Sequence, residues 1–290
     1  MNTISQKPRV VGHRGSLYRS LENTRHSLKI ASEHCSDVEC DVFLLKCNTL
    51  VVFHGSGGDV SPGSLKQYCN LDASILDLTY EEVKNLKFNP EHKEFGCGKE
   101  FIEEMEHECY IPTLEEVLLD AQETGVIVKI ELKGPNTEVP VLQLVEKMGM
   151  VDRVTFASFK HDRIKRIREL RPHLNDDGTH RYKTGALFSE LPENFIDKAK
   201  GAGATEVHLK YSTCTKKRVD MIHKAGMRSM TWMRGPIGMR QDIKEKNVGV
   251  ENEEMYLRLM KTGVMAMCVN RPDVLANLLS RLSKHAVATN

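Results

Sequence analysis

Short runs rich in Val and Ile alternate along this chain with amphipathic stretches, and most of those stretches stop at a glycine. Such alternation marks parallel strands buried beneath helices. Candidate strands fall at 9–12, 37–43, 126–132, 153–158, 184–188, 205–209, 228–233 and 264–269. Helical segments at 113–124, 139–148, 193–202, 216–225 and 251–262 lead into a Gly suited to a helix stop, and 272–285 closes the series. Eight βα units predict an α/β chain folded as a (β/α)8 TIM barrel. The ~250 residues usual for that fold leave roughly 40–60 of the 290 for one insertion. A doubly wound sheet is the competing architecture.

The insertion follows the second strand. Residues 44–54 form a predicted hairpin turning at Asn48-Thr49, after which Gly, Pro and charge break the pattern from 55 to 110. This stretch is expected to be a small cap over the barrel mouth, within a single catalytic domain spanning 1–290. Its acidic run Glu103, Glu104, Glu106 and Glu108 reads as a solvated face. His92, Cys97, His107 and Cys109 lack a paired-cysteine knuckle, so zinc is not expected there.

Charge narrows the partners. With 41 Lys plus Arg against 40 Asp plus Glu, no general field draws the chain to nucleic acid, and anion recognition must come from a local cluster. The eight cysteines are thinly spread behind a polar N-terminus, which predicts reduced thiols in a cytoplasmic protein. No stretch approaches the ~18 apolar residues of a transmembrane segment.

The strands carry charge where a barrel usually carries aliphatic residues. In 126–133, Val128, Ile130 and Leu132 share one face, and Lys129, Glu131 and Lys133 share the other. In 38–42, Val38, Cys40 and Val42 oppose Glu39 and Asp41. The apolar faces must meet the helices, so Glu39, Asp41, Glu131 and Lys133 are expected inside, near the carboxyl ends of their strands, where barrel enzymes keep their active sites. Three converging carboxylates demand a cation, and an all-oxygen set selects Mg²⁺ or Ca²⁺. A plain salt bridge from Glu131 to Lys129 or Lys133 is the structural alternative.

Two imidazoles reach the same mouth: His13 ends the first strand, followed by Arg14, and His54 ends the hairpin. Imidazoles titrate near neutrality and can serve as base and acid in one displacement, while Arg14 and Lys133 offer charge to phosphate oxygens. Together these groups fit phosphoryl transfer from a phosphodiester.

His13-Arg14-Gly15, Glu22-Asn23-Thr24, Glu39-x-Asp41-Val42, His54 after Val51-Val52-Phe53, Ile111-Pro112-Thr113-Leu114-Glu115-Glu116, Ile130-Glu131-Leu132-Lys133 and Asn270-Arg271-Pro272-Asp273 are also a pattern. In order and spacing it resembles the glycerophosphodiester phosphodiesterases, from about residue 10 to 279. The resemblance implies a (β/α)8 barrel that hydrolyses a glycerophosphodiester to glycerol 3-phosphate and an alcohol with a divalent cation. It implies Glu39, Asp41 and Glu131 as metal ligands and His13 and His54 as acid and base; of the two, we take His54 as the base. Arg14 and Lys133 take the role of phosphate contacts, with Glu22 orienting Arg14. The nucleophile is either water or the substrate's own neighbouring hydroxyl, which would give a cyclic phosphate first.

The chain departs from the family in two places. Gly55 stands where the residue after the second imidazole is usually Asp, and Thr231-Trp232-Met233-Arg234 replaces the usual Trp-Thr-Val-Asn. Trp232 is read as stacking on the glycerol or alcohol moiety, or as a packing residue. His208 is expected to be a hydrogen-bonded wall residue. Two alternative functions remain: a lysophospholipase D-like enzyme acting on lipid head groups, and a non-catalytic barrel binding phosphorylated ligands.

Overall fold

The computed structural model describes residues 7–56, 61–91, 109–234 and 251–288. Nine strands form one sheet: β1 Arg9–Gly12, β2 Asp37–Leu44, β3 Leu50–Val52, β4 Ile127–Leu132, β5 Val154–Ser158, β6 Lys183–Phe188, β7 Glu206–Lys210, β8 Arg228–Trp232 and β9 Ala266–Val269. All neighbours are parallel except β3, which runs antiparallel to β2. Because β1 pairs with both β2 and β9, the eight parallel strands close into a barrel, and the doubly wound sheet is excluded.

Helices wrap the outside: α1 Arg25–Ser32, α2 Lys66–Cys69, α3 Tyr80–Val83, α4 Leu114–Thr124, α5 Glu138–Lys147, α6 His161–Leu170, α7 Phe195–Gly201, α8 Lys216–Lys224, α9 Glu253–Met260 and α10 Pro272–Ala288. Helix α4 starts at a capping box, in which the Thr113 hydroxyl accepts from the Glu116 N–H and the Glu116 carboxylate accepts from the Thr113 N–H. Helix α1 starts three residues after Glu22, where the Thr24 side chain accepts from the Ser27 N–H. Strand β9 starts two residues after 264, since the Val264 N–H bonds the Thr262 hydroxyl and not a neighbouring strand.

Helix α6 was not among the predicted segments. It buries only Ile164 and Ile167 from a strongly charged sequence, and it ends before a proline instead of a glycine.

Outward strand residues meet the helices, as the alternation required. Val38, Cys40, Val42, Val128, Ile130 and Leu132 pack with Leu114, Val117, Leu118 and Ala121. Burying each such side chain contributes about 1.5–3 kcal/mol. A second cluster around Tyr256, Val207, Leu209 and Val269 covers the far side. Tyr68, Leu65, Ile75 and Val83, from the described part of the insertion, share a further cluster with Phe43, Val51 and Phe53 of the hairpin. The acidic run and His92, Cys97 and His107 lie outside the described residues.

The barrel interior is mostly polar. Val11, Met230, Ala266 and Cys268 are its small apolar patch. Below them, Lys129 Nζ lies 2.9 Å from Glu206 Oε2, which also lies 3.0 Å from His208 Nε2. His208 is thus the hydrogen-bonded wall residue that the sequence suggested. Gly185 makes room for it, because a Cβ there would sit 2.4 Å from the ring. Among the described residues no helix is long and apolar enough to cross a membrane.

Candidate active site

The site grows from the end of β1. Arg14 takes a left-handed backbone (φ 52°), as does Asn23 (φ 58°), a conformation costing about 1–3 kcal/mol for a residue with a Cβ. Hydrogen bonds hold both turns: the Arg14 N–H donates to Glu39 Oε2 at 3.0 Å, and the Asn23 N–H donates to the Arg14 carbonyl at 3.0 Å. The turn folds the guanidinium back over the acidic strands. Arg14 Nη1 lies 3.0 Å from each Glu22 oxygen, and Nε lies 3.4 Å from Asp41 Oδ2.

Strands β2 and β4 place the carboxylates side by side, with Asp41 in register with Glu131. Ligand oxygens of Glu39, Asp41 and Glu131 all lie within 4.8 Å of one another. Asn23 braces this group, its amide donating to Asp41 Oδ2 at 2.9 Å and its Oδ1 accepting from the Asp41 N–H at 3.2 Å. Lys133 Nζ stands 3.5 Å from Asp41 Oδ1 and 3.6 Å from Glu131 Oε1. Glu131 therefore does not engage Lys129, which pairs with Glu206, but it does engage Lys133.

Burial, reinforced by Asp41 and Glu131, pushes Glu39 well above the usual carboxylate range. Burial also pushes Glu131 up to about 7; Lys133 opposes this and Asp41 adds to it. Asp41 is equally buried, but Lys133, His54, Arg14 and the Asn23 hydrogen bond outweigh that and hold it low. The charged forms of Glu39 and Glu131 are thus disfavoured without a counter-ion, a divalent cation would favour them, and the all-oxygen donor set suits a hard ion.

Both imidazoles arrive beside the cluster. His13 Nδ1 lies 2.7 Å from Asn270 Oδ1, and His13 Nε2 lies 4.0 Å from Glu39 Oε2. Asn270 is held by its own N–H, which donates to buried Glu251 at 2.9 Å, and by its amide, which donates to the Arg234 carbonyl at 3.0 Å. His54 hangs from the antiparallel strand β3, and its Nδ1 lies 3.1 Å from the Tyr68 hydroxyl. Burial, with Arg14 nearby, lowers His13 to about 3 and depresses His54 as well. The neutral form of each ring is thereby favoured.

Gly55 follows with φ 70°, and a Cβ there would fall 2.7 Å from the Gly63 Cα. This close approach excludes a side chain at the position where the family usually has Asp.

A cavity of about 570 Å³ opens from His54, Glu131 and Lys133 toward Ser158, Phe159 and Lys160. Trp232 is half-buried against the interior apolar patch and meets Phe159 edge-on at 5.5 Å. Phe159, Asn23, Asn270 and Tyr68 were not singled out as site residues from the sequence. Asn23 and Asn270 were visible there as motif members beside Glu22 and Arg271, whereas Tyr68 carried no signal in an irregular segment.

A closed parallel barrel with carboxylates, imidazoles and a guanidinium gathered at one end of its strands belongs among the barrel enzymes that act on anionic substrates. Comparison narrows the class. The model of the glycerophosphoryl diester phosphodiesterase family matches residues 13–274, and the chain belongs to that family. A glycerophosphodiester phosphodiesterase from Caldanaerobacter subterraneus subsp. tengcongensis is 27% identical over 281 residues, covering 95% of this chain and 99% of the relative. A Galdieria sulphuraria structure assigned to the same activity superposes with a TM-score of 0.75 at 26% identity, covering 94% and 98% of the two chains. A phosphodiesterase from Oleispira antarctica, solved with the product sn-glycerol-3-phosphate, shares the fold with a TM-score of 0.74 at 21% identity, covering 94% and 97%.

Proposed function

We propose that this phosphodiesterase hydrolyses glycerophosphodiesters to glycerol 3-phosphate and an alcohol, with a divalent cation, Mg²⁺ or Ca²⁺, held by Glu39, Asp41 and Glu131. One observation carries the reading: two buried carboxylates and the half-buried Glu131, with ligand oxygens within 4.8 Å of one another, lie beside two imidazoles, His13 Nε2 at 4.0 Å from Glu39 Oε2. The product bound in the Oleispira antarctica relative supports the same end product. The cation, when bound, supplies Lewis-acid stabilisation of the charge that builds on the phosphoryl oxygens.

The chain's own groups do the rest. Arg14, aimed by Glu22, and Lys133 draw the phosphodiester's oxygens toward the carboxylate cluster. His54 takes the proton of the attacking oxygen as it bonds to phosphorus. That oxygen comes either from water, which gives glycerol 3-phosphate directly, or from the substrate's neighbouring hydroxyl, which gives a cyclic phosphate that water then opens. The bond from phosphorus to the departing alcohol breaks, and His13 protonates the alkoxide. His13 gains that proton when the substrate's negative charge arrives, because a nearby anion favours the imidazolium. Trp232 and Phe159 flank the alcohol or glycerol side, and residues 55–110 act as a cap within the one domain.

The test is release of glycerol 3-phosphate from glycerophosphocholine and glycerophosphoglycerol, with lysophosphatidylcholine in parallel. Activity should stop with EDTA and return with Mg²⁺ or Ca²⁺. Turnover of the acyl-bearing lipid alone would move the assignment to a lysophospholipase D-like enzyme, and ligand binding without turnover would overturn it.

A further inference from the structure

The reacting edge of His54 is governed from outside the barrel strands. Its Nδ1 lies 3.1 Å from the Tyr68 hydroxyl, which in turn lies 2.9 Å from Glu22 Oε1. A phenol has one proton to give. Burial raises Glu22, but it meets Arg14 Nη1 at 3.0 Å through both oxygens, and a carboxyl paired on both oxygens with a guanidinium has no lone pair left to protonate toward it, so it accepts. The phenol proton therefore goes to Glu22. The Tyr68 oxygen is left as an acceptor, and the imidazole must supply the hydrogen between them.

We propose that Tyr68, from α2 of the insertion, is the positioning residue that holds His54 as the Nδ1–H tautomer and leaves its Nε2 bare. His13 reaches the same state by a different route. The Arg234 carbonyl can only accept, which fixes the Asn270 amide nitrogen toward it and turns Oδ1 toward His13 Nδ1. One ring is thus set by an amide on the barrel, the other by a phenol from the insertion.

The placement of Tyr68 is built, not incidental. The residue is buried, its ring meets Phe53 edge-on at 5.0 Å, and Leu65 and Ile75 of the insertion share its apolar cluster. Position 55 offers no side chain that could brace His54 instead. The acid–base step proposed above needs one nitrogen of His54 free of hydrogen. An imidazole that flipped to the Nε2–H form would present a donor where an acceptor is required.

The kinetic consequence rests on His54 serving in acid–base catalysis, whereas the tautomer does not, so the two can fail separately. The chain holds 12 histidines, so the His54 signals in ¹⁵N-histidine-labelled protein are assigned by their loss in His54→Gln. ¹⁵N NMR then distinguishes the protonated from the bare ring nitrogen. Wild-type protein should show His54 with the hydrogen on Nδ1, and Tyr68→Phe, which keeps the ring against Phe53, should populate the Nε2–H form. The same variant should lose about tenfold in kcat with KM little changed, the scale of one buried hydrogen bond.

A wild-type spectrum with the hydrogen on Nε2 overturns the proposal and needs no folded variant. An unaltered tautomer in folded Tyr68→Phe overturns it equally. A shifted tautomer with undiminished kcat supports the positioning and removes His54 from the chemistry.

Discussion

Replacing Glu131 by Gln should make the cation-free protein more stable while disabling the site. At an effective dielectric of about 20, a charge pair at 4.8 Å repels by about 3.5 kcal/mol, and Glu131 faces two carboxylates at or inside that separation. Lys133, at 3.6 Å, returns about 5 kcal/mol, which leaves an ionised Glu131 about 2 kcal/mol uphill before burial is counted when Glu39 and Asp41 are both ionised. Burial adds to this, in keeping with a carboxyl pushed up to about 7 from an ordinary 4.5.

A folded-state value above the unfolded one means that folding favours the protonated acid. Stability is therefore fully present below pH 4.5 and lost as pH rises through 7, a loss of about 3 kcal/mol by pH 8. At about 2 °C per kcal/mol for a chain of this size, the shift is about 6 °C in Tm.

Scanning fluorimetry in EDTA at pH 5 and pH 8 measures it. Wild-type protein should melt lower at pH 8, and Glu131→Gln should lessen that drop, melting about 6 °C above wild type at pH 8, while the part due to Glu39, also pushed up, remains. Mg²⁺ or Ca²⁺ should then raise wild type by about 2.7 kcal/mol at a hundredfold excess over Kd, with little gain for the variant. A Glu131→Gln protein that melts below wild type in EDTA at pH 8 would refute the reasoning, because the carboxylate would then be contributing stability without a cation.

His13→Ala and His54→Ala should each lower kcat by ~10²-fold or more, measured by glycerol 3-phosphate release; a wild-type rate in either removes that ring from the mechanism. Lys129→Met should cost about 3–5 kcal/mol in urea unfolding, since it leaves buried Glu206 without its buried cation and with only the half-exposed Arg228 at 3.7 Å. Lys129→Met combined with Glu206→Leu should recover most of that loss, and failure to do so would show that packing, not the ion pair, sets the cost.

The barrel and its carboxylate cluster were legible because each rests on strand periodicity. Alternation in 38–42 and 126–133 fixes which side chains face inward, and the register of Asp41 beside Glu131 follows from two adjacent parallel strands. Helix α6 escaped because Ile164 and Ile167 are too few to print a periodicity on a charged decapeptide. Tyr68 escaped for a different reason. Its contacts with His54 and Glu22 span 14 and 46 residues of chain, and only the folded insertion brings them together. Gly55 was legible only as a departure from the family pattern, whereas its left-handed backbone and close approach to Gly63 belong to the geometry by which the insertion meets the hairpin.

The antiparallel strand β3 has a consequence for how this molecule tolerates changes in length. Leu50–Val52 descends beside Val42–Leu44, and the Phe53 N–H reaches the Asp41 carbonyl at 2.9 Å, so His54 is lowered onto the mouth like a bucket on a measured rope. A strand advances about 3.4 Å per residue and turns its side chain over at each step. One residue added between Asp41 and His54 would swing the imidazole away, and two would lift it by about 7 Å.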